Sequence, residues 1–355
     1  MRFAPPPTVR VAEHPGGMNQ VLARSFNERL IMSLLLQHDG MTRLQLGRES
    51  GLSAQTISVI VRALERDNLV SKGEAVRGRI GPPTTPISLN PNGAFSIGIH
   101  VDRRAIEATI INFVGVPVAQ KRSAITTFDV QNVRDALIGM VDTLLGELTA
   151  TQKALVAGIG LTFPQRFEAE EEQEQAVLAY DFEQDLRAHS GLEVVIQDDV
   201  TAAASAETLY GQAKRMDDLL FCYASKDLKP RLILGGRIYT GSNPQIPICD
   251  CQTWNLTAQN LESVATRDDL GVQRWIQQVV SKTVDLVHDL GTFASVPEMI
   301  LSAPVPTTVI DELVSRIASK ISIDLSVTGS RFGPNALAIG AAIMPIQTRF
   351  TANTL

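Results

Sequence analysis

Cysteine is scarce in this chain: three in 355 residues, at Cys222, Cys249 and Cys251. An odd count spread over that length argues against a disulfide framework. Long apolar runs are missing too. The longest, such as "ALAIGAAIMPI", is too short to span a bilayer and contains Pro345. The first residues, "MRFAPPPTVRVAEHPGGM", lack the apolar core of a secretory signal and read as a flexible Pro/Gly-rich leader, so a cytoplasmic protein without membrane partners is expected. Tryptophan occurs only at Trp254 and Trp275, where core packing is the default role and pocket lining the alternative. No excess of positive charge draws the whole chain to nucleic acid, since the net charge is −6. What remains is 44% hydrophobic and 20% charged residues, the balance of a globular protein, in a chain long enough for two or three domains.

The charge is unevenly spread. Residues 19–80 hold nine Lys/Arg against six Asp/Glu, a mildly basic head on an acidic body. Within that head, "NERLIMSLLLQHDG" places Leu30, Ile31, Leu34 and Leu35 on one helical face and ends at Gly40, where a helix C-cap is expected. Thr42 can cap the next helix. "TRLQLGRESGLSAQTISVIVRALERDNLV" then has the pattern of a helix-turn-helix. Gly47 is small where two helices approach, Gly51 suits a turn that needs positive φ, and Ile57 and Ile60 point to the core. Ser53 is the expected N-cap of the second helix, and Ala54, Gln55, Thr56, Ser58 and Arg62 face outward, able to meet base edges and phosphates.

The following "VSKGEAVRGRIGPPTTPISLN" reads as a wing around Arg77, Arg79 and a Gly-Pro-Pro turn. The expected DNA contacts are therefore Arg43, Ser53, Gln55, Thr56, Ser58, Arg62, Arg77 and Arg79. One head covers a half-site, which implies a homodimer or a higher homo-oligomer on double-stranded operator DNA. The competing reading is a small helical domain that packs on the body or on a partner, with solvated arginines.

After "NPNGA" the signal turns extended. "FSIGIHV", "AIEATIINFVG" and "VPVAQKRSAI" read as three antiparallel strands, followed by an amphipathic helix from Asn132, the buried strand "ALVAGIGLTFP", a further helix, "LEVVIQ" and a helix over 201–211. From "DDLLFCYAS" the strands begin again, and the tail alternates helix and strand through "NALAIGAAIM". Two halves of this kind describe an actin-like or sugar-kinase α/β fold, although periodicity alone does not select it. The expected layout is a leader over 1–18, a winged helix-turn-helix over 19–90, a first lobe over 91–210 and a second over 211–355 whose final helix returns to the first.

In this order of elements, residues 20–350 resemble the ROK family, the repressor, open reading frame and sugar kinase group. "AGIGLTFPQRFE" is similar to its "GIGxPG" strand end, "VVIQDDVTAAASAE" to its "vENDanaaalgE" segment and "PNALAIGAA" to its closing helix. The resemblance implies that Asp199 stands at the family's general base and Asp198 at its Asn. It also places Pro164 and Gln165 at the turn approaching the sugar and Glu262 at a further sugar contact. These five residues form the candidate ligand site, for a sugar-like effector.

The chain departs from the family wherever kinases grip nucleotide phosphates with bare glycine backbone. His100, Val101, Asp102, Arg103 and Arg104 stand at Asp-x-Gly-Gly-Thr. Ser225, Asp227, Lys229 and Arg231 stand where a second turn carries glycines, and Ser302 and Ala303 replace a glycine pair. Cys249 and Cys251 lack the His and third Cys of the family's zinc knuckle, so no metal or cofactor is expected.

Together these features point to a DNA-binding regulator with no catalytic residues; a sugar kinase with atypical loops, resting on Asp199 alone, and a regulator whose body only dimerises are the rivals. Asp198 and Asp199 cap a helix, with or without a ligand contact. The Arg103-Arg104 pair is a solvated turn or an anion contact. The acidic run from Glu168 to Ala176 has no assigned function.

Overall fold

The computed structural model describes residues 20–74, 85–164, 172–239, 246–248, 270–322 and 324–352. The leader, Arg77, Arg79, Gln165, Cys249, Cys251, Trp254 and Glu262 lie outside them. The chain forms two compact units, Met1–Gln197 with Ala341–Leu355, and Asp198–Gly340. The helix that follows the aspartate pair, placed by the sequence in the first lobe, thus groups with the second unit.

The first unit begins with α1 (Gln20–Gln37), α2 (Arg43–Ser50) and α3 (Ala54–Arg66). Thr42 closes a capping box with Gln45 at the start of α2, and Ser53 caps α3 by accepting from the Thr56 N–H. Gly51 takes φ +69° at the end of α2, a left-handed conformation that favours glycine. The small size of Gly47 is not required where α2 meets its neighbours. A Cβ there would meet the Leu52 carbonyl at an ordinary 3.5 Å, so helix approach does not require glycine. Helix α1 stops at Gln37, and Gly40 is not left-handed.

Leu46, Ile57, Ile60, Val61 and Leu64 pack inside with Ile31 and Leu35. The wing strands β1 (Val70–Lys72) and β2 (Ile87–Leu89) pair antiparallel, and Met41 bridges to Ile87.

The rest of this unit is a five-stranded sheet of β3 (Phe95–Val101), β4 (Ala105–Asn112), β5 (Pro117–Ala124), β6 (Val156–Phe163) and β7 (Val194–Asp198), ordered β5-β4-β3-β6-β7. Strands β3, β4 and β5 form the expected antiparallel meander, and β6 joins β3 in parallel. Helices α4 (Val130–Gly146), α5 (Ala150–Lys153), α6 (Glu172–Ala179) and α7 (Phe182–Ser190) follow the chain between strands. Val133, Leu137 and Val141 of α4 and Phe182 and Leu186 of α7 close one core with Ile97, Ile99 and Ile159.

The second unit holds α8 (Asp199–Tyr210), β8 (Leu219–Ala224), β9 (Asp227–Leu234), β10 (Arg237–Ile238) and β11 (Ile246–Pro247), then α9 (Leu270–Gly291), β12 (Glu298–Ser302), α10 (Thr307–Ala318) and β13 (Ser326–Gly329). Its sheet runs β10-β9-β8-β12-β13, the same order of first three strands reversed and two appended as in the first unit. The first two pairings are antiparallel and the last two parallel. That repeat is the duplicated α/β body the sequence pattern describes. Helices α9 and α10 cover one face through Trp275, Val279 and Leu313, while Val200, Ala203 and Ala204 of α8 cover the other.

The last helix, α11 (Ala336–Phe350), starts in the second unit and enters the first at Ala341. Near its end Arg29 of α1 donates to the Thr348 carbonyl at 3.0 Å, and the Ala352 N–H donates to Ser33 Oγ at 2.9 Å. The helix-turn-helix is thereby fastened to the chain's C-terminal turn. Among the described residues no helix is long and apolar enough to cross a membrane.

Candidate functional site

Two groups of residues carry chemistry, one on α3 and one at the start of α8. On α3 the spacing 55, 59, 62, 66 draws one outward stripe, because steps of three and four residues keep to one helical face. Gln55 and Arg62 are exposed and have no hydrogen bond or ion pair among the described residues. The hydroxyls behave differently. Ser53 Oγ accepts from Thr56 N at 3.2 Å and shares a hydrogen bond with Thr56 Oγ1 at 2.9 Å, and Ser58 Oγ donates to the Ala54 carbonyl at 2.8 Å. Ser53, Thr56 and Ser58 therefore spend their side chains on the helix itself. Arg43 lies 3.7 Å from Glu65, which also pairs with Lys72 at 3.3 Å, so Arg43 is an exposed cation tethered by a carboxylate.

At the head of α8, Asp198 is the N-cap and its Oδ1 accepts from Thr201 N at 2.9 Å. The same oxygen receives Arg231 Nη2 at 2.7 Å, while Arg231 Nε donates to Thr201 Oγ1 at 2.9 Å and Nη1 to the Pro230 carbonyl at 2.8 Å. Asp199 accepts from Val200 N at 2.8 Å and lies 3.6 Å from Lys229 Nζ. The four side chains are almost removed from solvent, at 11% and 3% exposure for Asp198 and Asp199 and 8% and 1% for Lys229 and Arg231. Two acids and two bases thus close a neutral, buried cluster. Burying either pair alone would leave an uncompensated charge of high cost.

The strand period explains the arrangement. In "DLKPRLIL", Lys229, Arg231 and Ile233 point to one face of β9, and Leu228 and Leu232 to the other. The first face carries α8. The residues that replace two glycines of the family's second phosphate turn are therefore inward strand residues aimed at the aspartates. The turn itself is reduced to Ser225 and Lys226 between β8 and β9. Sequence reasoning took Lys229 and Arg231 as losses and missed them as partners. The available signal was two cations at i, i+2 in an apolar strand, matching two acids at a helix start.

Of the other two altered turns, one is buried and one is exposed at Asp102 and Arg104. Ser302 and Ala303 are fully buried, and Ser302 Oγ has no hydrogen-bond partner among the described residues. Arg103 pairs with Glu174 at 2.8 Å, so part of the acidic run neutralises the Arg103-Arg104 turn. Glu207, the motif's closing glutamate, accepts from Ser330 Oγ at 2.6 Å, Arg331 N at 3.0 Å and Gln212 N at 2.8 Å. Burial pushes its carboxyl above the usual range, and these three hydrogen bonds pull it part of the way back. Cys222, fully buried on β8, has its thiol raised by burial against the opposing charge of Arg231, which makes it unreactive.

Of the candidate ligand residues, Pro164 follows β6 in the first unit and Asp198 and Asp199 open α8 in the second. Gln165 and Glu262 lie outside the described residues. Among the described residues no group of three or more His, Cys, Asp or Glu gathers to hold a metal ion.

A three-helix head with a β-wing, set ahead of a body of two like-ordered α/β sheets, defines a winged helix-turn-helix joined to a duplicated α/β domain. The comparisons agree: a winged helix-turn-helix DNA-binding model matches residues 27–71, and a ROK family model matches residues 96–245. The chain carries a ROK family domain behind a winged helix-turn-helix.

The xylose repressor of Bacillus subtilis (strain 168) is 21% identical over 380 residues, 93% of this chain and 97% of that protein. Uncharacterized protein y4fQ of Sinorhizobium fredii (strain NBRC 101917 / NGR234) is 26% identical over 232 residues, 62% of this chain and 57% of that one, so the match spans little more than half of it. The crystal structure of a ROK family transcriptional regulator, homolog of the E. coli MLC protein, superposes with a TM-score of 0.65 at 17% identity, covering 93% of this chain and 97% of that chain. At that identity the likeness speaks for the fold.

Proposed function

We propose that this chain is a DNA-binding transcriptional repressor of sugar-metabolism genes, acting as a homodimer and carrying out no phosphotransfer. The observation that carries the reading is the outward stripe of α3, where Gln55 and Arg62 are exposed and unpaired among the described residues, on a capped helix-turn-helix ahead of the ROK domain. The xylose repressor, similar over nearly its whole length, supports the sugar-linked role. In this reading Arg43, Arg77 and Arg79 meet phosphates, while Gln55 and Arg62 read base edges, with Ser53, Thr56 and Ser58 close enough to contribute once DNA displaces their internal bonds. The operator must be bound by two heads.

The cluster at α8 supports the reading without kinase chemistry. A general base must reach a substrate hydroxyl, and Asp199 is buried against Lys229 instead. A sugar-like effector contacting Pro164, Gln165, Asp198, Asp199 and Glu262 remains part of the proposal. For the carboxylates it requires that the ligand compete with Lys229 and Arg231, and it is allosteric only if ligand affinity differs between DNA-bound and free states.

To test the reading, duplexes are selected from a random library by the full chain, and binding is measured at fixed salt. Arg62→Ala and Gln55→Ala are each expected to weaken the selected duplex about tenfold or more, with the oligomeric state unchanged. Unchanged affinity in both would remove α3 as the reading helix. ATP turnover on any sugar of a panel, abolished by Asp199→Asn, would reverse the kinase assignment.

A further inference from the structure

The outward stripe of α3 contains one apolar residue that is left exposed, with no core role, among the described residues. Val59 is 52% exposed, flanked one turn before by Gln55 and one turn after by Arg62. The buried side of the helix is complete without it, formed by Ile57, Ile60, Val61, Ala63 and Leu64. A β-branched side chain is also a poorer helix former than alanine or arginine, so Val59 adds nothing to the helix on its own. It is an apolar surface at the middle of a face otherwise made of the amide of Gln55 and the guanidiniums of Arg62 and Arg66.

The major groove offers one apolar group to such a side chain, the C5 methyl of thymine. Cytosine presents no methyl at that position, and the remaining edges are hydrogen-bond donors and acceptors that an exposed valine would desolvate without pairing. The hydroxyls nearest to it, of Thr56 and Ser58, are engaged within the helix. Apolar contact is thus the chemistry available at the centre of the stripe.

We infer that Val59 is a specificity-determining residue that reads a thymine methyl in each operator half-site. This rests on the proposed DNA-reading role of α3. It deepens that role by assigning the base class at the helix centre, between positions read by Gln55 and Arg62. Direct contact removes one methyl and part of the isopropyl group from water, which corresponds to about a fourfold gain in affinity per half-site.

The experiment uses the full chain and the duplexes it selects from a random library. Each thymine of the consensus is replaced in turn by deoxyuridine, which deletes only the C5 methyl. The wild type is expected to lose about fourfold affinity at one thymine per half-site, and Val59→Ala to bind the thymine and deoxyuridine duplexes equally well. Because Val59 is half exposed and lies outside the buried side of α3, Val59→Ala is expected to keep a melting temperature close to that of the wild type.

The inference is overturned if no deoxyuridine position weakens the wild type, if the consensus holds no thymine, or if Val59→Ala keeps the full penalty. Failure to select any duplex would instead overturn the DNA-reading role itself. Selected duplexes that respond to Arg62→Ala and not to methyl deletion would leave that role standing and remove only Val59 from it.

Discussion

Gly160→Ala is expected to destabilise the first unit by about 4 kcal/mol or to prevent folding outright. Strand β6 runs directly beneath the last helix, and a Cβ at Gly160 would lie 1.7 Å from the Ala341 carbonyl oxygen and 2.6 Å from its carbon. Both are backbone atoms, so no side-chain rotation relieves the clash, and α11 would have to leave the sheet. A Cβ at Gly158, two residues earlier on the same face, would likewise lie 2.7 Å from Glu193 O and 3.1 Å from Pro345 Cβ, so both glycines admit their neighbours closely. Thermal unfolding should register a fall of about 10 °C or an insoluble product. Gly139→Ala is the matched control. It sits in α4 with open space around its missing Cβ, and it should hold or raise the melting temperature by the ordinary helix-propensity gain. Equal melting temperatures for Gly160→Ala and the wild type would show that β6 and α11 are not in this contact.

Arg231→Met should be nearly as damaging, by about 3–5 kcal/mol, because it keeps the volume and strands the charge of Asp198 beside a buried helix start. The companion variant Asp198→Asn keeps an N-cap oxygen for Thr201 and removes the charge. The pair Arg231→Met with Asp198→Asn should therefore recover most of the loss, and the coupling read from the double-mutant cycle should exceed 1 kcal/mol, on the order of that for contacting charges. Additive losses would mean that the cation and the acid act independently. The same cycle bears on function, since a strong coupling makes the cluster a structural clamp on α8 rather than an open acid awaiting substrate.

Much of this was legible in the sequence. Gly51, Ser53 and the buried Ile57 and Ile60 identified the helix-turn-helix because caps and periodicity are local properties. The strand meander after "NPNGA" and its recurrence after "DDLLFCYAS" forecast the two sheets. The capping role of Asp198 was readable from an acid preceding an alanine-rich helix.

What escaped was pairing at long range. Lys229 and Arg231 lie about thirty residues from their acids, and only the fold of β9 against α8 brings them together. Thr56 and Ser58 read as outward-facing in the sequence, yet Thr56 Oγ1 shares a hydrogen bond with the capping Ser53 and Ser58 Oγ donates to the Ala54 carbonyl, a competition that residue type alone does not settle. Gly47 was assigned to helix approach on size, and the distances around it decide otherwise. Val59 is apolar, and in a sequence an exposed valine between polar residues is not distinguishable from one that packs inward.

Sequence-specific DNA binding by the α3 head is decided by one titration. The affinity of the full chain for its selected duplex and for a scrambled duplex of equal composition is measured across a salt series. The prediction is a preference for the selected duplex of about 10³ or more, with both affinities falling as salt rises because arginine–phosphate contacts release counterions. Equal affinity for the two duplexes at every salt concentration would contradict it.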